Sequence, residues 1–161
     1  MAGKREFPDH PVVGVGGVVI HDNRVLLIRR GSEPLKGQWS IPGGTLELGE
    51  TLEDGVRREL REETSLEVRV LDLIEVFERI FPDAKANPSS PPAVPSRPQY
   101  HFVIVDYLCE AVAGSPRAGS DVTDVALVGE EDLSAYNLTP AATRVVRKAF
   151  AMARDRAQSV L

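Results

Sequence analysis

The chain has 161 residues with a net charge of −5, and its share of hydrophobic (42%) and charged (27%) residues is ordinary for one globular domain. The acidic balance argues against a large phosphate-neutralising surface, so nucleic acid is not expected as a main partner. No apolar run approaches the roughly 18 residues of a membrane span. The polar residues 1–11 do not resemble a secretory signal. With one cysteine, Cys109, in an apolar stretch, we expect a reducing, cytoplasmic setting and no membrane partner.

The first half of the chain begins with a predicted hairpin. Val12 to Ile20 is an apolar run interleaved with glycines, and it is followed by a turn signal at residues 21–24 and a second apolar run from Val25 to Ile28. Residues 31–50 are rich in glycine and proline, which predicts a loop. A helix is predicted next, with Thr51 as its N-cap and its end near Thr64.

The second half carries further strand patterns and a closing helix. Strands are predicted at Val68 to Val76, at Tyr100 to Cys109 and at Val125 to Val128. Between the first two lies a proline-rich insertion, residues 82–99, which is long for a loop and is either a lid or a disordered segment. The closing helix has Thr139 as N-cap, Pro140 in its first position and an end near Ala157. Mixed strands with two separated helices indicate one α/β sandwich domain over residues 1–161.

Glutamates on the first helix do not follow the pattern of an ordinary surface helix. At 100° per residue, an apolar stripe forms along one side of it, made of Leu52, Val56 and Leu60. Glu63 falls within about 20° of the centre of this stripe, Glu59 within about 60°, and Glu62 at its border. Two of the three carboxylates are therefore expected to face the domain interior.

A divalent cation would explain these inward carboxylates. Burying carboxylates without partners costs several kcal/mol, each raises the pKa of its neighbour, and the C-terminal end of a helix disfavours negative charge. Carboxylates spaced i, i+3 and i+4 can supply the oxygen ligands that Mg²⁺ or Mn²⁺ prefers. The alternative is a solvated helix held by i, i+4 pairs such as Glu53–Arg57, which does not account for the inward direction of Glu59 and Glu63.

Residues 44–66 resemble the Nudix box, a pattern of Gly-x5-Glu-x7-Arg-Glu-apolar-x-Glu-Glu-x-Gly-apolar. The matching positions in this chain are Gly44, Glu50, Arg58, Glu59, Leu60, Glu62, Glu63 and Leu66. The preceding Gly37-Gln38-Trp39-Ser40-Ile41-Pro42-Gly43 is also similar to the family. Ser65 departs from the pattern, because the family usually has a glycine there that ends the helix in a left-handed turn. We expect local strain at Ser65 or a different exit from the helix.

The resemblance implies a fold, a cofactor and a set of site residues. The fold would be a Nudix-type α/β/α sandwich with a mixed β-sheet, and the cofactor Mg²⁺ or Mn²⁺. Its implied ligands are Glu59, Glu62, Glu63 and the backbone carbonyl of Gly44. Arg58 is expected to pair with Glu50 and so to hold the loop against the helix. Glu62, Glu59, Arg58 and Glu50 are therefore the expected catalytic set.

Two further assignments lie outside the box. Arg29 or Arg30, at the end of a predicted strand, is expected to bind a substrate phosphate. The general base stays open between Glu62 and a carboxylate of the later loop, Asp121 or Asp124, because geometry has to decide it.

The implied activity is hydrolysis of a phosphoanhydride bond in a nucleoside diphosphate derivative. The loop and the box are most similar to the branch that cleaves ADP-ribose to AMP and ribose 5-phosphate. The alternatives are a MutT-like pyrophosphatase of oxidised nucleoside triphosphates and a non-catalytic sensor of nucleotide sugars. The expected partner is a small nucleotide, and a homodimer is a further expectation because relatives often form one.

Overall fold

The structure is a computed structural model that describes residues 5–85 and 97–160. Most of the predicted proline-rich insertion, residues 86–96, lies outside the described residues. Within the described ranges, no helix is both long and apolar enough to cross a membrane.

A mixed sheet of seven strands forms the centre of the molecule. The strands are β1 (Val12–His21), β2 (Arg24–Arg30), β3 (Trp39–Ser40), β4 (Gly43–Thr45), β5 (Glu67–Phe81), β6 (Tyr100–Ala113) and β7 (Val122–Gly129). The main path runs β3-β2-β1-β6-β5, while β4 pairs with β1 and β7 with β2. β1 and β6 are parallel and the other pairs antiparallel, which confirms the predicted mixed sheet.

Two helices cover opposite faces of this sheet. Helix α1 (Leu52–Thr64) buries Val56 and Leu60 against Val15 and Val19 of β1. Helix α2 (Pro140–Ser159) buries its own apolar side against the other face; its core residues are Val145, Val146, Ala149 and Phe150. Because side chains alternate along a strand, odd-numbered positions of β1 face α1 and even-numbered positions face α2. The result is the α/β/α sandwich expected from the sequence.

The structure departs from the predicted elements in the middle and late parts of the chain. β5 and β6 continue to Phe81 and Ala113, beyond the predicted Val76 and Cys109, because each is the other's ladder partner over most of its length. β3 and β4 lie in the predicted loop 31–50, and a 3₁₀ segment, Glu130–Tyr136, follows β7. These short elements depend on pairing with distant strands and have no periodic pattern of their own.

Helix α1 ends in a left-handed residue even without the glycine. Ser65 has φ 63° and ψ 14°, and its amide donates to the carbonyl of Arg61. The exit from the helix is therefore the usual left-handed one, and the departure from the box pattern takes the form of strain. A non-glycine residue in this region costs on the order of 1 kcal/mol.

The sandwich predicts a sharp contrast between two leucine-to-alanine substitutions. Leu60 lies on the buried side of α1 and is 0% exposed, whereas Leu73 on β5 is 50% exposed. Leu60→Ala is expected to lower the free energy of unfolding by about 2–5 kcal/mol because it leaves a cavity between helix and sheet. Leu73→Ala is expected to cost less than about 1 kcal/mol. Urea denaturation measures both, and equal losses would contradict this packing.

Candidate active site

A cavity of about 1450 Å³ opens beside the C-terminal half of α1. The loop 46–50, strand β4 and the glutamates of α1 form one wall. Its floor is the part of the sheet that α2 leaves uncovered, where β1, β5 and β6 lie side by side. The residues that the box brings to this cavity are Gly44, Glu50, Arg58, Glu59, Glu62 and Glu63.

Glu63 and Glu59 are the most confined carboxylates of the helix. One oxygen of Glu63 accepts a hydrogen bond of 2.9 Å from the amide of Gly43, and burial raises the pKa of Glu63 to about 8. Burial also raises the pKa of Glu59, against the opposing effect of Arg58. A Cβ on Gly44 would lie 2.5 Å from the carboxyl carbon of Glu59. The missing side chain at Gly44 therefore lets the carboxylate reach β4.

Arg58 ties the helix to the loop before it. Its Nε and Nη2 donate to the two oxygens of Glu50 at 2.6 and 3.0 Å, and Nη2 also donates to the carbonyl of Thr45. The hydrogen bond from Arg58 lowers the pKa of Glu50, and the same bond raises the pKa of Arg58. Such a bidentate pair is among the stronger polar contacts in proteins. It holds the loop, and with it β4, at a constant distance from the helix.

Glu59 and Glu62 also contact Arg58. Its Nη1 lies 2.8 Å from Glu59 and 3.2 Å from Glu62, whose side chains are 12% and 49% exposed. Within residues 5–85 and 97–160, no three acidic, histidine or cysteine side chains converge on one point that could hold a metal ion.

The chemistry of the donor set nevertheless suits a hard divalent cation. All the candidate ligands are oxygen atoms, and Glu59 and Glu63 both have pKa values raised by burial. The carboxylates also raise one another's pKa values by their negative charge: Glu59 raises the pKa of Glu63, and Glu62 raises the pKa of Glu59. A cation of charge +2 relieves this repulsion and replaces the lost water. The residues present therefore fit Mg²⁺ or Mn²⁺.

The loop before β7 closes the end of α1 and brings one acidic residue to the cavity. The amides of Arg117 and Gly119 donate to the carbonyls of Thr64 and Glu63, both at 2.9 Å. Asp121 follows, lines the cavity and raises the pKa of Glu63 by its charge. Asp124 lies on β7 and accepts a hydrogen bond from the amide of Val125. Of the two loop candidates, the structure places Asp121 beside the glutamates.

The two adjacent arginines of β2 point to opposite sides. Arg30 lines the cavity and donates to the carbonyl of Pro34 at 2.6 Å; burial lowers its pKa, while the charge of Glu63 opposes this. Arg29 is exposed and donates to the carbonyl of Gly37. The structure thus brings Arg30, rather than Arg29, next to the glutamate cluster.

Several cavity residues were not predicted as site residues. They lie on β5 and β6 and include Phe77, Arg79, Phe102 and Asp106. Sequence reasoning treated these segments as strands without a functional role. The signal that was available is Asp106, a charged residue inside the apolar run 102–109, because charged side chains are seldom fully buried without a partner.

The class of the protein follows from this architecture. A mixed sheet between two helices, with a glutamate-bearing helix at the wall of a large cleft, defines an α/β sandwich of the Nudix type. The chain belongs to the Nudix family, since the family model described as NUDIX domain matches residues 10–149. Nudix hydrolases generally use divalent metal ions.

The relatives include two named enzymes and a solved structure. An ADP-ribose pyrophosphatase of Methanocaldococcus jannaschii is 36% identical over 115 residues, which are 71% of this chain and 60% of that protein. An 8-oxo-dGTP diphosphatase of Escherichia coli is 29% identical over 139 residues, 84% of this chain and 93% of that protein. A MutT NUDIX hydrolase structure from Burkholderia pseudomallei has a TM-score of 0.70 at 29% identity, covering 87% of this chain and 98% of that one. The matched part of this chain thus spans less than two thirds of the archaeal relative.

The raised pKa of Glu63 predicts how stability depends on pH. Folding shifts this pKa from 4.5 to about 8, so the folded protein holds a proton that the unfolded chain has released between these values. The free energy of unfolding of the metal-free protein should therefore fall as pH rises from about 5 to about 8. Glu63→Gln should make this decline smaller, because the amide cannot ionise; the part that remains belongs to the other buried carboxyl groups, Glu59 and Asp106, whose pKa values burial also raises. Urea denaturation with EDTA measures both.

The matched control for this experiment is Glu53→Gln. Glu53 lies on the same helix but is exposed and paired with Arg57, so its substitution should leave the pH dependence as in the wild type. A wild-type decline that persists at full size in Glu63→Gln would show that Glu63 is not among the buried groups that titrate in this range.

Proposed function

We propose that the protein hydrolyses a pyrophosphate bond in a nucleoside diphosphate derivative with the help of Mg²⁺ or Mn²⁺, and that ADP-ribose is its substrate. The observation that carries this proposal is that two confined glutamates, Glu59 and Glu63, line the same cavity as the guanidinium of Arg30, on which the charge of Glu63 acts. Such a site combines ligands for a divalent ion with a binding group for phosphate oxygens.

Each residue of the site has a defined part in this proposal. Glu59, Glu62 and Glu63, with the carbonyl of Gly44, would hold the metal, which when bound supplies positive charge and a more acidic water. Arg30 binds a phosphate oxygen of the substrate. Arg58 and Glu50 are positioning residues, because their ion pair holds the loop 46–50 against the helix.

The proton of the attacking water has two candidate acceptors. Glu62 is the most exposed of the three glutamates proposed as metal ligands, and it lines the cavity. Asp121 also lines the cavity, on the loop that contacts the end of α1, and its charge acts on Glu63. Both are carboxylates within the cavity wall, so each can take a proton while substrate is bound. Asp124 is the weaker candidate because its carboxylate is held by its own strand.

The choice of ADP-ribose draws support from size and from similarity. The cavity exceeds the roughly 300–1000 Å³ of most small-molecule sites, so a molecule with a base, two sugars and a diphosphate has room. The Methanocaldococcus jannaschii relative is named for this activity. The completeness of the box at every charged position favours an enzyme over a non-catalytic sensor of nucleotide sugars.

Hydrolysis of an oxidised nucleoside triphosphate is the second candidate. The Escherichia coli relative that is named for 8-oxo-dGTP matches over most of both chains. The same glutamates and Arg30 would serve this reaction, so the difference lies in the part of the cavity that holds the base. A homodimer and a cytoplasmic location stay predictions from the sequence.

A substrate panel with divalent ions tests the proposed reaction. The purified protein is incubated with Mg²⁺ or Mn²⁺ and ADP-ribose, NADH, diadenosine polyphosphates, dNTPs or 8-oxo-dGTP, and the products are identified by chromatography. We expect AMP and ribose 5-phosphate from ADP-ribose, with no turnover after EDTA treatment. Efficient cleavage of 8-oxo-dGTP, with ADP-ribose untouched, would instead establish the second candidate.

Substitutions on α1 separate the metal site from helix stability. Glu63→Gln and Glu59→Gln are expected to lower kcat by at least about 100-fold, because each removes a charged ligand from the ion. Glu53→Gln, on the exposed side of the same helix, should keep nearly the full rate. Wild-type turnover by Glu63→Gln would contradict the metal role of this helix.

Substitution of the two loop aspartates decides between the candidate bases. Asp121→Asn is expected to lower kcat by about 10²–10⁴-fold if Asp121 accepts the proton, with the acidic limb of the pH–rate profile removed. Asp124→Asn is the matched control from the same part of the chain and should leave kcat nearly unchanged. If Asp121→Asn also leaves kcat unchanged, Glu62→Gln is expected to lower it, and the general base is then a glutamate of the box.

A further inference from the structure

A buried carboxyl group lies in the floor of the cavity, away from the glutamates of α1. Asp106 is on β6, directly opposite Gly16 of β1 and Glu75 of β5. It is 3% exposed, yet it lines the cavity. Among the described residues, no hydrogen bond reaches its oxygens, and the charges that act on it are those of Glu75 and Arg79. In the part of the chain that the structure describes, no side-chain oxygen is both sealed from solvent and without a partner, so the carboxyl group of Asp106 reaches the cavity that it lines.

The neighbours of Asp106 leave its carboxyl group at the wall of the cavity, although little of it is exposed. A Cβ at Gly16 would collide with one of its oxygens, so the glycine leaves the space that the carboxyl group occupies. Glu75 accepts a hydrogen bond of 2.9 Å from Nε of Arg144 on α2. The guanidinium of Arg79 lies over the ring of Phe81, 5.0 Å from its centroid. The two charged neighbours of Asp106 are thus engaged with other residues.

The same face of the sheet carries aromatic and apolar side chains. Residues directly opposite in an antiparallel pair share a face, so Phe77 lies beside Ile104, and Arg79 beside Phe102, on the face of Asp106. Phe77, Phe102 and Ile104 all line the cavity. An apolar wall with one polar group at its end suits a flat ring whose edge carries hydrogen-bonding atoms.

Two arginines connect this wall to the glutamates. Arg79 has its pKa lowered by burial and by the charge of Arg30, and Arg30 in turn is acted on by Glu63. Pairwise charge effects therefore connect Glu63 to Arg30, Arg30 to Arg79, and Arg79 to Asp106. A diphosphate bound near the two arginines would place its metal-binding oxygens on one side and its nucleoside on the other.

We propose that Asp106 selects the base of the nucleotide substrate by hydrogen bonding the polar edge of a base that lies against Phe77 and Phe102. This inference rests on the proposed function for the orientation of the diphosphate. The base expected is adenine, since its edge combines an amino donor with a ring-nitrogen acceptor. A neutral carboxyl group matches that edge, because it offers one donor and one acceptor.

Burial supplies the neutral form of this carboxyl group near physiological pH. It raises the pKa of Asp106 to about 7, Glu75 acts in the same direction, and Arg79 opposes it. Above this pH the carboxylate offers acceptors alone, which suits the two adjacent donors of guanine better than adenine. The preference for adenine over guanine should therefore decrease as pH rises. The arginines that act on Asp106 and on Glu75, Arg79 and Arg144, keep their charge throughout this range. Lys148 of α2 also acts on Glu75.

Binding of AMP, GMP and ribose 5-phosphate to the full chain tests the inference without requiring turnover. Kd is measured by calorimetry at about pH 6 and about pH 8.5 for the wild type, Asp106→Asn and Asp106→Leu. The asparagine amide has one donor and one acceptor at every pH, whereas leucine has a similar size and neither. The two nucleotides carry the same phosphate, so the ratio of their Kd values isolates the base. Thermal unfolding of each variant checks that it is folded.

The expected result has three parts. The wild type binds AMP more tightly than GMP at the lower pH, and the ratio of the two Kd values falls about tenfold at the higher pH. In Asp106→Asn this ratio is the same at both pH values. In Asp106→Leu the Kd for AMP rises about tenfold. Ribose 5-phosphate, which has no base, binds all three proteins equally.

Other outcomes would overturn the inference. The first is an equal affinity for AMP in the wild type and in Asp106→Leu. The second is a loss of AMP affinity in Asp106→Asn that is as large as the loss in Asp106→Leu. The third is a loss of affinity for ribose 5-phosphate that equals the loss for AMP. Hydrolysis of ADP-ribose, assayed in parallel, is a separate readout. If ADP-ribose is hydrolysed and the Asp106 variants select the base as the wild type does, the inference is wrong and the proposed function stands. If Asp106 selects the base but ADP-ribose is not hydrolysed, the inference stands and the proposed function is wrong.

Discussion

The structure depends on one constraint, which is that two glutamates of α1 are confined between the helix and β4. Their repulsion and lost hydration have to be offset locally. The amide of Gly43 donates to Glu63, the absent side chain of Gly44 makes room for Glu59, and Arg58 contacts Glu59 and pairs with Glu50. Under the proposed function, a divalent ion would add positive charge between these carboxylates, so the confinement that costs stability would also serve the chemistry.

A second constraint is the division of one sheet face between core and cavity. Helix α2 covers the part of the face around Val18 and Leu108. Further along the same strands stand Gly14 and Gly16, above which Ile104 and Asp106 fill the space of the missing side chains. The face therefore changes from apolar core to open floor within a few residues. A substrate on this floor is in contact with rigid strands, which position bound groups more accurately than loops do.

The charged side chains that line the cavity come from widely separated parts of the chain. Acidic groups come from α1 and from Asp106 on β6, and the arginines are Arg30 on β2 and Arg79 on β5. Under the proposed function, phosphates would bind near the arginines and, through a cation, near the glutamates of α1. Under the proposal for Asp106, the base would lie against the aromatic side chains of β5 and β6. One cavity would then serve both the reaction and the selection of its substrate.

Features that depend on neighbouring residues could be predicted from the amino-acid sequence. They are the helical spacing of Glu59, Glu62 and Glu63, the β1–β2 hairpin and the Thr139 cap of α2, all of which follow from local periodicity and capping. Three other features required the folded chain: which of two adjacent arginines lines the cavity, which loop aspartate lies beside Glu63, and that Asp106 lines the cavity. These depend on strand register and on the docking of the loop 117–121 onto α1, since a shift of one residue would reverse every side chain on a strand. Such long-range pairing is a property of the whole sheet and leaves no periodic signal in any one segment.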